Sequence, residues 1–176
     1  MRKLTVLLSI SITFLFFTLT IASASGQSSY SEDRSRIENL IARYTFALDF
    51  RDADAYASTF TEDGILDSGI GIKKGREEIK SIIALMNGFN GNSNNAEVRR
   101  HIISNIVLKI EGDKAVGRAY WHSVKMDKAS GIPAFISFGH YEDEYVKVNG
   151  EWFFSKRKIY NEKRPNRSAK GTNPAW

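Results

Sequence analysis

The feature that most constrains the fold is a change in the spacing of apolar residues near Val98. After this point apolar residues alternate with other residues, which is the pattern of β-strands. Gly112-Asp113 and Asn149-Gly150 are signals for two-residue hairpin turns. The sequence therefore predicts an antiparallel meander of four long strands, at about 99–110, 114–126, 134–148 and 151–160.

Before Val98 the apolar residues follow the 3.6-residue period of helices. The segment from Ile37 to Asp52 places five of them on one helix face, and Ser31 or Asp33 can cap this helix. Further elements are expected in the segment before the meander: helices at 52–60 and 76–86, a turn at Asp63-Gly64, short strands at 65–67 and 70–72, and a loop at 87–96.

Helices followed by a long twisted meander predict an α+β domain. We expect the N-terminal helices to pack on the concave face of a curved, mainly antiparallel sheet and to leave a cone-shaped hollow. Small-molecule sites favour such hollows.

The first residues have the layout of a secretory signal peptide, with Arg2 and Lys3, an apolar run and then Ala22-Ser23-Ala24. Cleavage after Ala24 would give a secreted or periplasmic protein without stable membrane insertion. An uncleaved membrane anchor is the alternative, because the apolar run is just long enough to span a bilayer. The sequence then divides into a flexible segment 25–34, one domain 35–160 and a basic flexible tail 161–176.

The chain has no cysteine, so the domain cannot rely on disulfides. Its net charge of +5 comes largely from the two signal-peptide cations and from basic residues beyond Trp152. A solvated tail accounts for this excess, and nucleic-acid binding is not predicted.

A candidate acid–base pair follows from burial. Asp49 lies at the edge of the apolar helix face, and a carboxylate stripped of water needs a partner. Alternation places His101 and Asn105 on one face of the first long strand, the only strand face where a titratable base lies among apolar neighbours. We therefore expect Asp49 to contact His101 inside the hollow; the alternatives are that Asp49 simply ends the helix or pairs with Arg51 or Arg43.

The strands carry other candidate residues. Arg157 shares a predicted face with Phe153, and its buried guanidinium would need an anion such as Asp49 or Asp143. Both faces of the first long strand are largely apolar, so one of them is expected to meet another subunit. No spacing of histidines resembles a zinc site, and neither a metal nor an organic cofactor is expected.

The segments YTFALDFRD, RRHIISNIVLKI and GHYEDEYVKVNGEWFFSKR, in this order, resemble the SnoaL-like branch of the nuclear-transport-factor-two-like superfamily over roughly residues 35–160. Within it the chain is most similar to the group of hexachlorocyclohexane dehydrochlorinase, scytalone dehydratase and bile acid 7α-dehydratase. The resemblance implies a cone-shaped α+β barrel with His101 as the base, Asp49 as its orienting carboxylate, Arg157 as an anion holder and Tyr44 as a hydrogen-bond donor. It also implies a homo-oligomer, either a trimer or a dimer.

These residues predict a lyase that eliminates water or halide from a hydrophobic, ring-sized small molecule. Trp121, Tyr141 and Phe153 would form apolar walls, and Asn105 would lie beside them. Two alternatives stay open: a non-catalytic ligand-binding or oligomerisation module, and an isomerase or hydrolase that uses the same base.

Overall fold

A computed structural model describes residues 28–89, 98–163 and 173–176. Six strands form one sheet in the order β2-β1-β6-β5-β4-β3. All neighbouring strands are antiparallel except β1 and β6, which are parallel. The elements in chain order are α1 (Tyr30–Phe50), α2 (Ala53–Ser58), β1 (Phe60–Ser68), β2 (Gly71–Lys74), α3 (Gly75–Phe89), β3 (Arg99–Glu111), β4 (Lys114–Met126), β5 (Pro133–Val148) and β6 (Glu151–Ile159).

The predicted α+β class and the meander are confirmed, although the curved sheet is not closed into a barrel. Asn149 and Gly150 have φ angles of 52° and 83°, as the predicted tight hairpin requires. The predicted turn at Asp63-Gly64 is wrong, because both residues lie within β1. Gly64 sits at an irregularity in the pairing of β1 with β6, where a Cβ atom would lie 2.9 Å from the Cβ of Phe60.

Helix α1 begins earlier than predicted, and its cap is Ser29. The Ser29 hydroxyl accepts a hydrogen bond from the backbone N–H of Glu32 at 3.2 Å, so the predicted caps at Ser31 and Asp33 are wrong. The apolar face is buried as expected, and it packs with side chains of the sheet into one core. Its buried members are Ile37, Leu40, Ile41, Tyr44 and Leu48.

Asp33 is a buried junction between α1 and the sheet. Its carboxylate accepts hydrogen bonds from Trp152 Nε1 at 2.8 Å, Lys147 Nζ at 2.9 Å and Ser28 Oγ at 2.7 Å. Burial alone would raise the pKa of Asp33, but these bonds and the charge of Lys147 outweigh it, and the pKa lies below its usual value.

Two β-bulges, one in β3 and one in β6, make two of the sequence predictions wrong. The register of β3 shifts between Ser104 and Val107, and Asn105 adopts a positive φ of 53°. Asn105 is therefore exposed, while Ile106 after it turns toward the core. The prediction that Asn105 shares the hollow with His101 is wrong.

In β6 the register shifts opposite Glu144 and Tyr145. Trp152 and Phe154 consequently face the core, and Phe153 lies on the other face, where the guanidinium of Arg76 is 5.8 Å from its ring. The prediction of Phe153 as a wall of the hollow is wrong.

The outer face of the meander carries exposed apolar side chains. Ile102, His122 and Phe138 are paired across β3, β4 and β5, and Ile102 and Phe138 are exposed. Tyr120 is exposed nearby. The second apolar face is thus present, and the homo-oligomer stays a prediction.

Several predicted segments lie wholly or partly outside the described residues, namely the signal peptide 1–24, most of the loop 87–96 and much of the tail 161–176. Helix α3 continues to Phe89. At the end of the tail, the backbone oxygen of Pro174 accepts a hydrogen bond from Arg118 Nε at 3.0 Å. No helix in the described part of the chain is long and apolar enough to cross a membrane.

Replacing Asp33 tests the junction. We expect Asp33→Asn to lower the free energy of unfolding at pH 7 by about 2 to 4 kcal/mol, since Trp152 and Lys147 lose a charged acceptor. Because the folded-state pKa of Asp33 is lowered, its contribution is complete above the unfolded value of about 3.9 and is lost as the pH falls through the folded value. The difference in the free energy of unfolding between wild type and Asp33→Asn, measured by urea unfolding, should therefore become smaller as the pH is lowered.

Glu111→Gln provides the control, because Glu111 is exposed at the end of β3. It should change stability by less than about 0.5 kcal/mol. A stability difference between wild type and Asp33→Asn that stays constant on acidification would contradict the lowered pKa of Asp33.

Candidate functional site

Asp49 and His101 form a pair with largely buried side chains where α1 meets β3. Asp49 Oδ2 accepts the backbone N–H of His101 at 2.9 Å, and Asp49 Oδ1 lies 2.6 Å from His101 Nδ1. The side chains of Asp49 and His101 are 4% and 10% exposed. The structure thus brings together the two residues that the sequence predicts as partners. With the proton on Nδ1, the other ring nitrogen, Nε2, is left able to accept one.

The end of α1 fixes the position of Asp49. Arg51 adopts the left-handed conformation, with φ of 61°, and its backbone N–H closes the helix on Leu48. The backbone N–H of Asp52 then donates to the oxygen of Ala47 at 2.9 Å. Because the helix stops directly after Phe50, the Asp49 carboxylate lies in its last turn, beside the first residues of β3.

His101 lines a cavity of about 480 Å³ between the helices and the sheet. This volume is typical of small-molecule sites. Apolar side chains form most of the wall, among them Leu48, Leu66, Ile82, Met86, Trp121 and Ile159.

Trp121 and Tyr141 line the cavity as the sequence predicts. Their rings stack with centroids 6.1 Å apart, and the ring of Trp121 is 6.2 Å from that of His101. Trp121 Nε1 donates a hydrogen bond to the backbone oxygen of Tyr160 at 3.0 Å. This bond to the backbone holds the Trp121 indole in place and does not occupy a polar group that lines the cavity.

Tyr44 also reaches the cavity, and its hydroxyl is 2.9 Å from that of Tyr56. Burial raises the pKa of Tyr44, although the charge of Arg157 and the bond to Tyr56 oppose this effect. Burial likewise raises the pKa of Tyr56 well above its usual value. Both phenols therefore stay protonated at neutral pH, and one of them can donate a hydrogen bond to a bound molecule.

Arg157 is fully buried in an ion pair with Asp143, one of the two partners that the sequence left open. Its Nε and Nη2 donate to Asp143 Oδ1 and Oδ2 at 2.8 and 2.7 Å. Burial by itself lowers the pKa of Arg157, but the charge and hydrogen bonds of Asp143 outweigh it and raise this pKa well above its usual value. The guanidinium is also 4.0 to 4.2 Å from the rings of Tyr141, Phe154 and Tyr44.

Arg157 is not among the residues that line the cavity. Tyr44 and Tyr141 line the cavity and also contact the guanidinium, so Arg157 lies behind them. In this arrangement Arg157 therefore does not reach a molecule in the cavity, and the predicted contact with a bound anion is not formed.

Two other arginines, which the sequence analysis missed, do line the cavity: Arg51 and Arg99. Arg99 precedes His101 by two residues on β3, so the alternation rule that selected His101 could have found it. Arg51 gives no comparable signal, because its direction depends on the left-handed end of α1. None of the described residues that line the cavity carries a carboxylate.

The other two histidines lie outside the cavity wall. His140 is buried and stacks on Tyr160, with ring centroids 4.5 Å apart, while His122 packs against Phe135 on the outer face. Within the three described segments, no group of three or more His, Cys, Asp and Glu residues is placed to hold a metal ion.

Comparison with known proteins gives the family and the fold. The family model of the SnoaL-like domain matches residues 29–158, whereas a search of curated proteins finds no match. A Nostoc punctiforme protein of unknown function with a cystatin-like fold is 26% identical, with a TM-score of 0.64 over 80% of this chain and 96% of that chain.

A protein of unknown function from Mycobacterium tuberculosis is 24% identical, with a TM-score of 0.65 over 82% of this chain and 80% of that chain. A scytalone dehydratase-like protein from Novosphingobium aromaticivorans is 21% identical, with a TM-score of 0.60 over 81% of this chain and 93% of that chain. At these identities the likeness shows the fold.

The buried ion pair behind the cavity can be tested by a double-mutant cycle. Asp143→Asn should lower the free energy of unfolding by about 3 to 5 kcal/mol, because it leaves the Arg157 cation buried and unpaired. The double variant Asp143→Leu, Arg157→Met should lose much less than the sum of its single changes, measured by urea unfolding.

Glu144 and Lys156 provide a matched control, since they pair across the same two strands at 3.5 Å but their side chains are 57% and 42% exposed. Glu144→Gln should cost less than about 1 kcal/mol. Equal effects of Asp143→Asn and Glu144→Gln would contradict the structural role of Arg157.

Proposed function

Because the chain belongs to the SnoaL-like domain family, we propose that its cavity binds a hydrophobic small molecule and that His101 removes a proton from it. The observation that carries the proposal is the 2.6 Å contact of Asp49 with His101 at the wall of an apolar cavity. Such a pair has the parts of a general base, namely an oriented imidazole and a carboxylate that stabilises its protonated form.

The reaction that suits these parts is elimination. His101 Nε2 takes a proton from a carbon next to an electron-withdrawing group. The C–H electrons form a double bond, and the leaving group departs from the adjacent carbon with its bonding pair. It departs either as halide or as hydroxide, and the hydroxide takes the proton from the imidazolium to become water. Asp49 stabilises the imidazolium that results, and base catalysis of this kind accelerates reactions by roughly 10²- to 10⁴-fold.

In this proposal Tyr44 assists the leaving group. Its phenol is neutral, reaches the cavity and shares a hydrogen bond with Tyr56. When water leaves, Tyr44 donates a hydrogen bond to the departing oxygen, and Tyr56 supports its hydroxyl. The stacked rings of Trp121 and Tyr141 favour a flat, ring-sized substrate. Arg157 does not contact the substrate in this mechanism, because it lies behind Tyr44 and Tyr141 and does not line the cavity.

Substitution of His101 tests the proposal. The protein would be screened against β-hydroxy ketones and chlorinated rings, and His101→Ala and Asp49→Asn should each lower kcat/KM for any substrate found by about 10²-fold or more. His122→Asn is the matched control, because His122 lies on the outer face of the sheet, and it should retain the wild-type rate. Equal turnover by wild type and His101→Ala would remove the mechanism.

Mass spectrometry of the product separates the alternatives. Elimination removes the mass of water or hydrogen halide, isomerisation leaves the mass unchanged, and hydrolysis adds the mass of water. A ligand that raises Tm without being converted would instead favour a binding module.

We also propose export, which the signal-peptide layout of residues 1–24 supports. N-terminal sequencing of the expressed protein should find Ser25 as the first residue.

We further propose self-association, which the exposed outer face of the sheet supports. Light scattering should give the mass of a dimer or trimer. Phe138→Ser, which removes an exposed ring from that face, should shift the mass toward the monomer. A monomeric wild type would contradict the association.

A further inference from the structure

The elimination leaves one buried polar group near the cavity unused, the hydroxyl of Ser123 on β4. Ser123 is 0% exposed, and its Oγ atom has no hydrogen-bond partner among the described residues. The buried threonines of the same described segments, Thr45 and Thr59, donate to backbone oxygens at 2.8 and 2.6 Å. The hydroxyl of Ser123 is therefore an exception that needs an explanation.

Ser123 lies directly opposite the candidate base. His101 and Ser123 are partners in the antiparallel pairing of β3 with β4, so their side chains extend from the same face of the sheet. The Cβ atoms of such partners are about 4.5 to 5.5 Å apart. Because Asp49 accepts the backbone N–H of His101, it lies at the free edge of β3, whereas Ser123 lies on the β4 side. The hydroxyl is thus close to the part of the imidazole that Asp49 does not bind.

The sheet itself does not satisfy the Ser123 hydroxyl. Strand β4 lies between β3 and β5, so its backbone groups bond within the plane of the sheet, while the side chain extends perpendicular to that plane. Ser137 is the opposite residue on β5, but no hydrogen bond joins it to Ser123. If this position required only a small side chain, alanine would fill it without burying an oxygen atom.

A further β-bulge begins directly after Ser123. The register of β4 with β5 shifts between Ser123 and Val124, and Ile136 is the extra residue of β5. Bulges are frequent beside active sites, where they set the direction of a side chain. Ser123 shares a face with Trp121, which lines the cavity, but Ser123 is not itself a lining residue. It can therefore act on a bound molecule only through a neighbour.

We propose that Ser123 is a positioning residue for the base, and that its oxygen accepts a hydrogen bond from His101 Nε2 once this nitrogen has taken up a proton. This role rests on the proposed function, because it takes His101 as the base. While Nδ1 carries the proton that faces Asp49, Nε2 has none to donate. The imidazolium has two N–H groups, of which Asp49 accepts one and Ser123 the other.

Two general properties of hydrogen bonds favour this role. Bonds from a charged donor are stronger than those between neutral groups, so the contact of Ser123 with the ring gains strength when His101 becomes charged. Hydrogen bonds used in catalysis are often long in the free protein and shorten only during the reaction. Ser123 keeps its own proton throughout, so the proton balance of the elimination is unchanged.

Titration of His101 by NMR tests this role without a substrate. The ring nitrogen and proton signals of His101 would be followed from acid to alkaline pH in wild type and in Ser123→Ala. The midpoint of the titration should fall by about one pH unit in the variant, because the imidazolium loses an acceptor. The charges of Asp49, Arg51 and Arg99 are the same in both proteins, so the shift reports the hydroxyl.

Stability and turnover give two further readouts. Because Ser123→Ala removes a buried hydroxyl without a partner, its Tm should equal or exceed that of wild type. For any substrate found, its kcat and kcat/KM should nevertheless both fall about tenfold, since the hydrogen bond forms only as the proton is transferred. A side chain with a purely structural role would not combine retained stability with a lower titration midpoint.

Ser137→Ala is the matched control, because it removes a hydroxyl from the same face of the sheet, one strand farther from His101. Its titration of His101 and its turnover should match those of wild type. An unchanged midpoint in Ser123→Ala, or an equal shift in Ser137→Ala, would overturn the role of Ser123.

These measurements distinguish the role of Ser123 from the proposed function. A lower midpoint in Ser123→Ala, with no turnover by the wild type, would keep the contact with the imidazolium and remove the elimination. An unchanged midpoint, with turnover that depends on His101, would remove the contact and keep the base.

Discussion

The structure depends on helix α1 being held near both ends by carboxylates that the sheet has removed from water. Asp33 near the start accepts hydrogen bonds from Trp152 and Lys147, and Asp49 near the end accepts two from His101. A buried carboxylate that loses its donors costs several kcal/mol. The helix therefore cannot slide or rotate without breaking one of these contacts, and this constraint sets the depth of the cavity beneath it. The same hydrogen bonds that fix the fold thus also orient the candidate base.

A second buried charge pair stabilises the core without contacting the cavity. Arg157 and Asp143 lie behind the rings of Tyr44 and Tyr141, which line the cavity on their other side. This buried ion pair is therefore shielded from a bound molecule by neutral aromatic rings. Arg51 and Arg99 line the same cavity as His101.

Periodicity predicted the four long strands to within about two residues, because alternation depends only on local burial. It could not locate the bulges, since a single extra residue reverses every later side chain. Counting back from the Asn149-Gly150 turn without a bulge pairs Arg157 with Glu142, whereas the register shift at Glu144 and Tyr145 makes the partner Asp143. Asn105 and Phe153 were misplaced for the same reason. The contact of Asp49 with His101 could be predicted, because a buried carboxylate needs a partner, the family resemblance indicates His101, and His101 precedes the bulge in β3.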